Sequence, residues 1–87
     1  MAPTTIAFTS IKLKCYSNTT LTSFEKNVIH FPEVMECYRI TGVADFLLKI
    51  AIRDVEAYDT FLNTRLATLP NIGSVITTFV LVETRRP

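Results

Sequence analysis

Residues 6–15 alternate, with Ala7, Thr9, Ile11 and Leu13 on one side and Ser10, Lys12 and Lys14 on the other. A period of two predicts a half-buried strand. Ser17-Asn18-Thr19-Thr20 follows, with short oxygen-bearing side chains that can satisfy the unpaired amides of a helix start. Thr22-x-x-Glu25 offers a second start, as a capping box, so this boundary stays open by a turn. Leu21, Phe24 and Val28 recur at helical spacing, with Ile29 extending the stripe. Phe31-Pro32 ends the helix, because the residue before a proline is pushed out of the α region.

Residues 34–41 are rich enough in β-branched and aromatic side chains to predict a second strand. A third covers 45–53, with Phe46, Leu48, Ile50 and Ile52 on one face and Leu47, Lys49, Ala51 and Arg53 on the other. The break Thr41-Gly42-Val43-Ala44-Asp45 joins the two as a hairpin. Asp54 suits a helix N-cap, and Glu56 suits the positive end of the helix dipole. Val55, Tyr58, Leu62, Leu66 and Leu69 form one continuous apolar stripe, stopped by Leu69-Pro70-Asn71-Ile72-Gly73. Residues 74–83 then form a strand apolar on both faces, with Val75, Phe79 and Leu81 opposite Ile76, Val80 and Val82.

The order β-α-β-β-α-β predicts an α+β, ferredoxin-like sandwich. Right-handed crossovers place the strands in the order 4-1-3-2 with both helices on one face. Two helices cover only one side of such a sheet, so the other side exposes an apolar patch that a face-to-face dimer would cover. Cys15 and Cys37 fall on strands separated by a third, about 9–10 Å apart at the usual strand spacing, too far for a disulfide.

Composition points the same way. A chain of 87 residues forms one domain over its whole length. It buries only roughly 60–65% of its unfolded surface, a marginal core by itself. Yet 48% of the residues are hydrophobic and 20% charged, which favours burial against further copies. The net charge of +1 is spread along the sequence and argues against a nucleic-acid surface, and Arg85 and Arg86 read as a solvated tail. No apolar run approaches the ~18–20 residues needed to span a bilayer. The first residues lack the basic start and apolar segment of a secretory signal, so a soluble cytoplasmic protein is expected. The cysteines have no metal-site spacing, and no cofactor is implied.

The Thr41–Asp45 break carries the candidate chemistry. It combines a glycine that tolerates positive φ, amides released from the ladder, a hydroxyl and a carboxylate. Such groups suit a zwitterion: the amides receive its carboxylate and Asp45 pairs with its ammonium, a bond contributing roughly 1.5–3 kcal/mol. The simpler reading of Asp45 is a hairpin residue bonded to nearby backbone, which the residues alone favour while leaving both readings open.

Longer motifs extend the picture. Pro32-Glu33-Val34-Met35-Glu36-Cys37-Tyr38, Thr41-Gly42-Val43-Ala44-Asp45-Phe46-Leu47-Leu48-Lys49, Leu69-Pro70-Asn71-Ile72 and Thr77-Thr78-Phe79-Val80-Leu81 together closely resemble the C-terminal effector domain of the Lrp/AsnC regulators, also called the RAM domain. The combination of P-x-V-x-E-C-Y, T-G-x-x-D and L-P-x-I at these intervals is specific, whereas T-G-x-x-D alone would be weak. The resemblance runs from the first strand to about Glu83.

It implies the same βαββαβ fold, dimers formed through the sheets, and larger rings with amino-acid effectors bound between dimers beside the T-G-x-x-D turn. On this chain it implicates Gly42 and Asp45, with Thr41 and the amides of Val43 and Ala44 near by. Thr77 matches a hydroxyl that a neighbouring subunit contributes, whereas Val75 stands where a hydroxyl is often found. Asn71 replaces the usual glycine of L-P-G-V, a position where Asn also reaches left-handed conformations.

The helix-turn-helix domain of full-length members has no counterpart in these residues. The resemblance is therefore to a stand-alone form that does not read DNA alone, or to a fragment of a longer regulator. Association with a full-length Lrp/AsnC regulator is a further implied partnership.

Two other classes fit the topology. A small dimeric enzyme of the monooxygenase type needs a positioned acid, base or nucleophile. His30 is explained by its place near a helix C-terminus, and Cys37 has no histidine beside it in sequence. An RNA-binding sheet stacks bases on aromatic residues of its central strands, and residues 46–52 lack that glycine–aromatic pattern. The expectation is a non-catalytic effector module.

Overall fold

In a computed structural model, which describes residues 4–87, the elements run β1 (Thr5–Leu13), α1 (Asn18–Val28), β2 (Val34–Arg39), β3 (Phe46–Ile52), α2 (Val55–Thr64) and β4 (Ile72–Phe79). A short 3-10 turn, Leu66–Thr68, follows α2. The four strands form one sheet in the order β2-β3-β1-β4, with β1 antiparallel to both β3 and β4. This is the expected 4-1-3-2 arrangement.

The alternation of β1 and β3 explains the layering. Ala7, Thr9, Ile11 and Leu13 are buried, as are Phe46, Leu48, Ile50 and Ile52. They meet Leu21, Phe24 and Val28 of α1 and Tyr58 and Phe61 of α2 in one core, so both helices cover the same face. Phe24 stacks on Phe46 with ring centroids 4.6 Å apart. Phe61 meets Phe31 edge to face, with centroids at 6.0 Å. Such pairs contribute roughly 0.5–1.5 kcal/mol beyond burial.

The other face lacks a cover of this kind. By register, Ser10 pairs with Leu47 and Ile76, Phe8 with Lys49 and Thr78, and Tyr38 with Leu47. Ile76 is 60% exposed, Met35 52% and Tyr38 43%, so an apolar strip crosses the sheet.

Several boundaries differ from expectation. Helix α1 starts from Ser17, whose hydroxyl accepts from the Thr20 amide, while the Thr20 hydroxyl accepts from the Ser17 amide. The reciprocal cap therefore forms one turn before Thr22-x-x-Glu25. Ile29 is half exposed, because the helix has ended at Val28.

The second stripe is corrected more deeply. Val55 is 62% exposed, and Phe61 is buried in its stead. Asp54 caps α2 as expected by accepting from the Ala57 amide, and the helix packs with Tyr58 and Phe61 inward and Val55 out. Leu66 reaches the core from the 3-10 turn, not from a continuous helix.

Strand β4 begins earlier and ends at Phe79, leaving Leu81 and Val82 exposed beyond the ladder. Cys15 is exposed and Cys37 half-buried, and both are free thiols. Among the described residues no helix is long and apolar enough to cross a membrane.

Candidate functional site

The hairpin break is an open loop anchored at its foot. The Ile40 amide donates to the Asp45 carbonyl at 2.9 Å, and the Asp45 amide donates to the Ile11 carbonyl at 2.9 Å. The carboxylate adds a third tie: its Oδ2 accepts from the Leu13 amide at 2.8 Å. Asp45 thus fastens the hairpin to β1, and its Oδ1 makes no hydrogen bond to the described residues.

Between those ties, the amides of Thr41, Gly42, Val43 and Ala44 have no acceptor among the described residues. Gly42 holds φ at 111°, a value that side-chain-bearing residues rarely adopt. Thr41, Gly42 and Val43 are exposed, with the Val43 side chain 87% accessible. Ala44 is different: its methyl is buried, so only its backbone can face a ligand.

Thr77 lies elsewhere. It pairs with Thr9, which also pairs with Leu48 on the opposite side of β1. Two strand spacings and three residues along the strand put Thr77 on the order of 14 Å from Asp45. Within one protomer the turn and Thr77 do not share a pocket. Thr77 instead lies in a groove between β4 and the end of α2, walled by Leu62, Leu66, Leu69 and Val75, with Lys14 at its rim.

The groove has a polar chain beneath it that the residues were not expected to form. The Tyr58 hydroxyl sits 2.7 Å from Thr9 Oγ1 and 2.6 Å from Thr77 Oγ1. The signal was present in the alternation of β1. Thr9 is the one hydroxyl among the inward positions Ala7, Thr9, Ile11 and Leu13, and a buried hydroxyl needs a partner. Tyr58, expected to act as a packing ring, supplies it.

Asn71 closes the end of the sheet nearest the turn. Its φ is 74°, the left-handed conformation expected of a residue replacing glycine. Its side chain adds what glycine would not. Oδ1 accepts from the Cys15 amide at 2.7 Å, and Nδ2 donates to the Cys15 carbonyl at 2.8 Å.

The remaining chemistry is sparse. Burial pushes the Cys37 thiol up from 9.0 to about 11; the Glu25 charge adds to the rise and Arg39 opposes it. At neutral pH it is a protonated thiol and a poor nucleophile. His30 is exposed just past α1. Among the described residues no cluster of His, Cys, Asp and Glu could hold a metal ion.

The Lrp/AsnC ligand binding domain model matches residues 6–86. Transcriptional regulator AzlB of Bacillus subtilis is 36% identical over 80 residues, covering 92% of this chain and 51% of that protein. An AsnC family transcriptional regulator from Agrobacterium tumefaciens superposes with a TM-score of 0.84 at 33% identity, over 94% of this chain and 53% of that one. A Neisseria meningitidis transcriptional regulator, solved as its L-Met complex, gives a TM-score of 0.83 at 26% identity, again over 94% of this chain and 53% of that one. The chain spans about half the length of the curated relatives it matches. That family is a ligand-binding one, not a catalytic one. With its sheet order, its T-G-x-x-D turn and a match over nearly its whole length, the chain belongs to the Lrp/AsnC ligand-binding domain family.

Proposed function

We propose that residues 1–87 act as one effector-sensing and oligomerisation module of an Lrp/AsnC-type transcriptional regulator in the cytoplasm, binding a small molecule without transforming it. The effector is an amino acid. Copies pair through the open sheet face, and dimers join into higher oligomers. The same surfaces allow association with a full-length Lrp/AsnC regulator, which would supply the DNA contacts that this chain does not make.

The observation that carries this reading is the run of unpaired amides at Thr41, Gly42, Val43 and Ala44 beside a carboxylate with one oxygen unused. The amides receive the effector's carboxylate, and Asp45 Oδ1 faces its ammonium. Thr77 of a neighbouring protomer completes the site, because within one chain it lies too far from the turn. The L-Met complex of the Neisseria regulator supports an amino acid as the ligand class.

The test separates the two jobs of Asp45. A panel of free amino acids should include at least one that raises the melting temperature or shifts the oligomeric state. Asp45→Asn keeps a carbonyl for the Leu13 amide, so it should leave the fold intact and abolish the response. Asp45→Ala also strands that amide, which costs roughly 1–3 kcal/mol of stability. An Asp45→Asn protein that responds like the wild type would remove Asp45 from the site.

A further inference from the structure

We infer that residues 81–85, which follow β4, form a clasp that lies on the open sheet face of a second copy, with Glu83 of each copy set against Lys49 of the other. This inference rests on the reading above that copies pair through that face. It adds the segment that holds the pair together and the charge contact that orients it.

The ladder of β4 ends at Phe79, and the Val80 amide adds one more tie, donating to the Ile6 carbonyl at 2.9 Å. Beyond it, the backbone of residues 81–85 has no hydrogen-bond partner among the described residues. The segment borders a groove of about 480 Å³ on the open face. Ile6, Phe8, Met35 and Lys49 form the floor, and Val80 and Val82 stand in the wall. The segment does not seal this groove, since Leu81 is 93% exposed and Val82 82%. An unpaired backbone carrying exposed apolar side chains, beside an apolar floor, is a template for association.

A second copy supplies what the groove lacks. Like chains paired about a two-fold axis exchange the same contacts, so the segment of each reaches the floor of the other. Charge selects the contact. Lys49 is the one charge on the floor, is half-buried, and makes no ion pair among the described residues. Glu36 stands opposite it across the β2–β3 register but is exposed and not bonded to it. Glu83 carries the carboxylate of the segment, paired only with Arg85 two residues on, and both are exposed. An exposed pair of that kind contributes little in water and exchanges readily. Between two apolar faces the same carboxylate meets Lys49 with less screening, and the attraction strengthens.

The test is sedimentation equilibrium of the wild type, Lys49→Glu, Glu83→Lys and an equimolar mixture of the two variants. Each variant alone should weaken dimerisation by roughly fivefold to fiftyfold, because every dimer then holds two like-charge contacts. The mixture should return to nearly wild-type strength, since both contacts of the mixed dimer join opposite charges again. If Lys49 and Glu83 met within one chain, each variant chain would keep its own like-charge pair. No rescue on mixing therefore overturns the inference. A second variant, Leu81→Ser with Val82→Ser, stands apart from Lys49. Both side chains are exposed in the protomer, so its circular-dichroism spectrum should match the wild type while dimerisation weakens by at least roughly tenfold. Wild-type dimerisation by that variant, or by both charge variants, overturns the clasp and leaves pairing through the sheet standing. A wild type that stays monomeric at millimolar concentration overturns both.

Discussion

The two faces of the sheet differ in what completes them. The helix-covered face is finished by one chain: Phe46, Leu48, Ile50 and Ile11 are inaccessible beneath α1 and α2. The opposite face presents Met35, Tyr38 and Ile76 with only other open-face residues beside them. The first face specifies the fold, and the second is a surface whose burial requires another molecule. The proposed effector site draws on the sheet's ends, at the hairpin break and at the β4 groove. In that proposal each is completed by a second protomer.

The largest effect is expected on the covered face. Phe61→Ala empties a site 1% exposed, in contact with Phe31 and Tyr58, and should cost about 3–5 kcal/mol in a urea titration. A loss below about 1 kcal/mol would mean that α2 does not close the core as described.

Tyr58→Phe sharpens the comparison inside that same face. It keeps the ring but strands the Thr9 hydroxyl, and should cost about 1–3 kcal/mol. Pairing it with Thr9→Val should recover most of the loss, since both partners then become apolar. A double-variant cost equal to the sum of the two single costs would show that the hydroxyls are not coupled.

Ile76→Lys probes the open face. The folded protomer should change by no more than about 0.5 kcal/mol, because the side chain is 60% exposed. Association, read by light scattering, should fall sharply. A variant that associates normally would move the interface off this face.

The smallest effect concerns Cys37. Its folded pKa lies above its ordinary value, so burial of the neutral thiol contributes stability fully below about pH 9, and that contribution fades as pH rises through about 11. Melting temperatures between pH 8 and 11 should fall less for Cys37→Ser than for the wild type. Identical slopes would show that the thiol is not protected.

Much of the covered face was legible because alternation encodes it directly. Ala7 to Leu13 and Phe46 to Ile52 read as inward rows and are inward rows. The second helix was misread at its start, because Val55 fits the spacing as well as Phe61 does. What decides between them is packing across the sheet: Phe61 lies against Phe31 and Tyr58 in the core, while Val55 is left exposed. The strand end at Phe79 was hidden because an apolar run cannot tell a ladder from an exposed tail.

At the candidate site, the turn residues were legible as a group. The anchoring of Asp45 to the Leu13 amide was not, since it joins positions 32 apart in sequence. The hydroxyl chain was half legible. Thr9 among apolar neighbours signalled a buried polar group, but its partner 49 residues away required the packed helix.

The central claim is that a lone protomer is unfinished and that the effector site exists only between copies. Sedimentation velocity of the wild type from micromolar to millimolar concentration, with and without an amino-acid mixture, addresses it directly. The account predicts dimers or larger assemblies throughout, with their distribution shifted by the mixture. A chain that sediments as a monomer at millimolar concentration, indifferent to every amino acid, would contradict it.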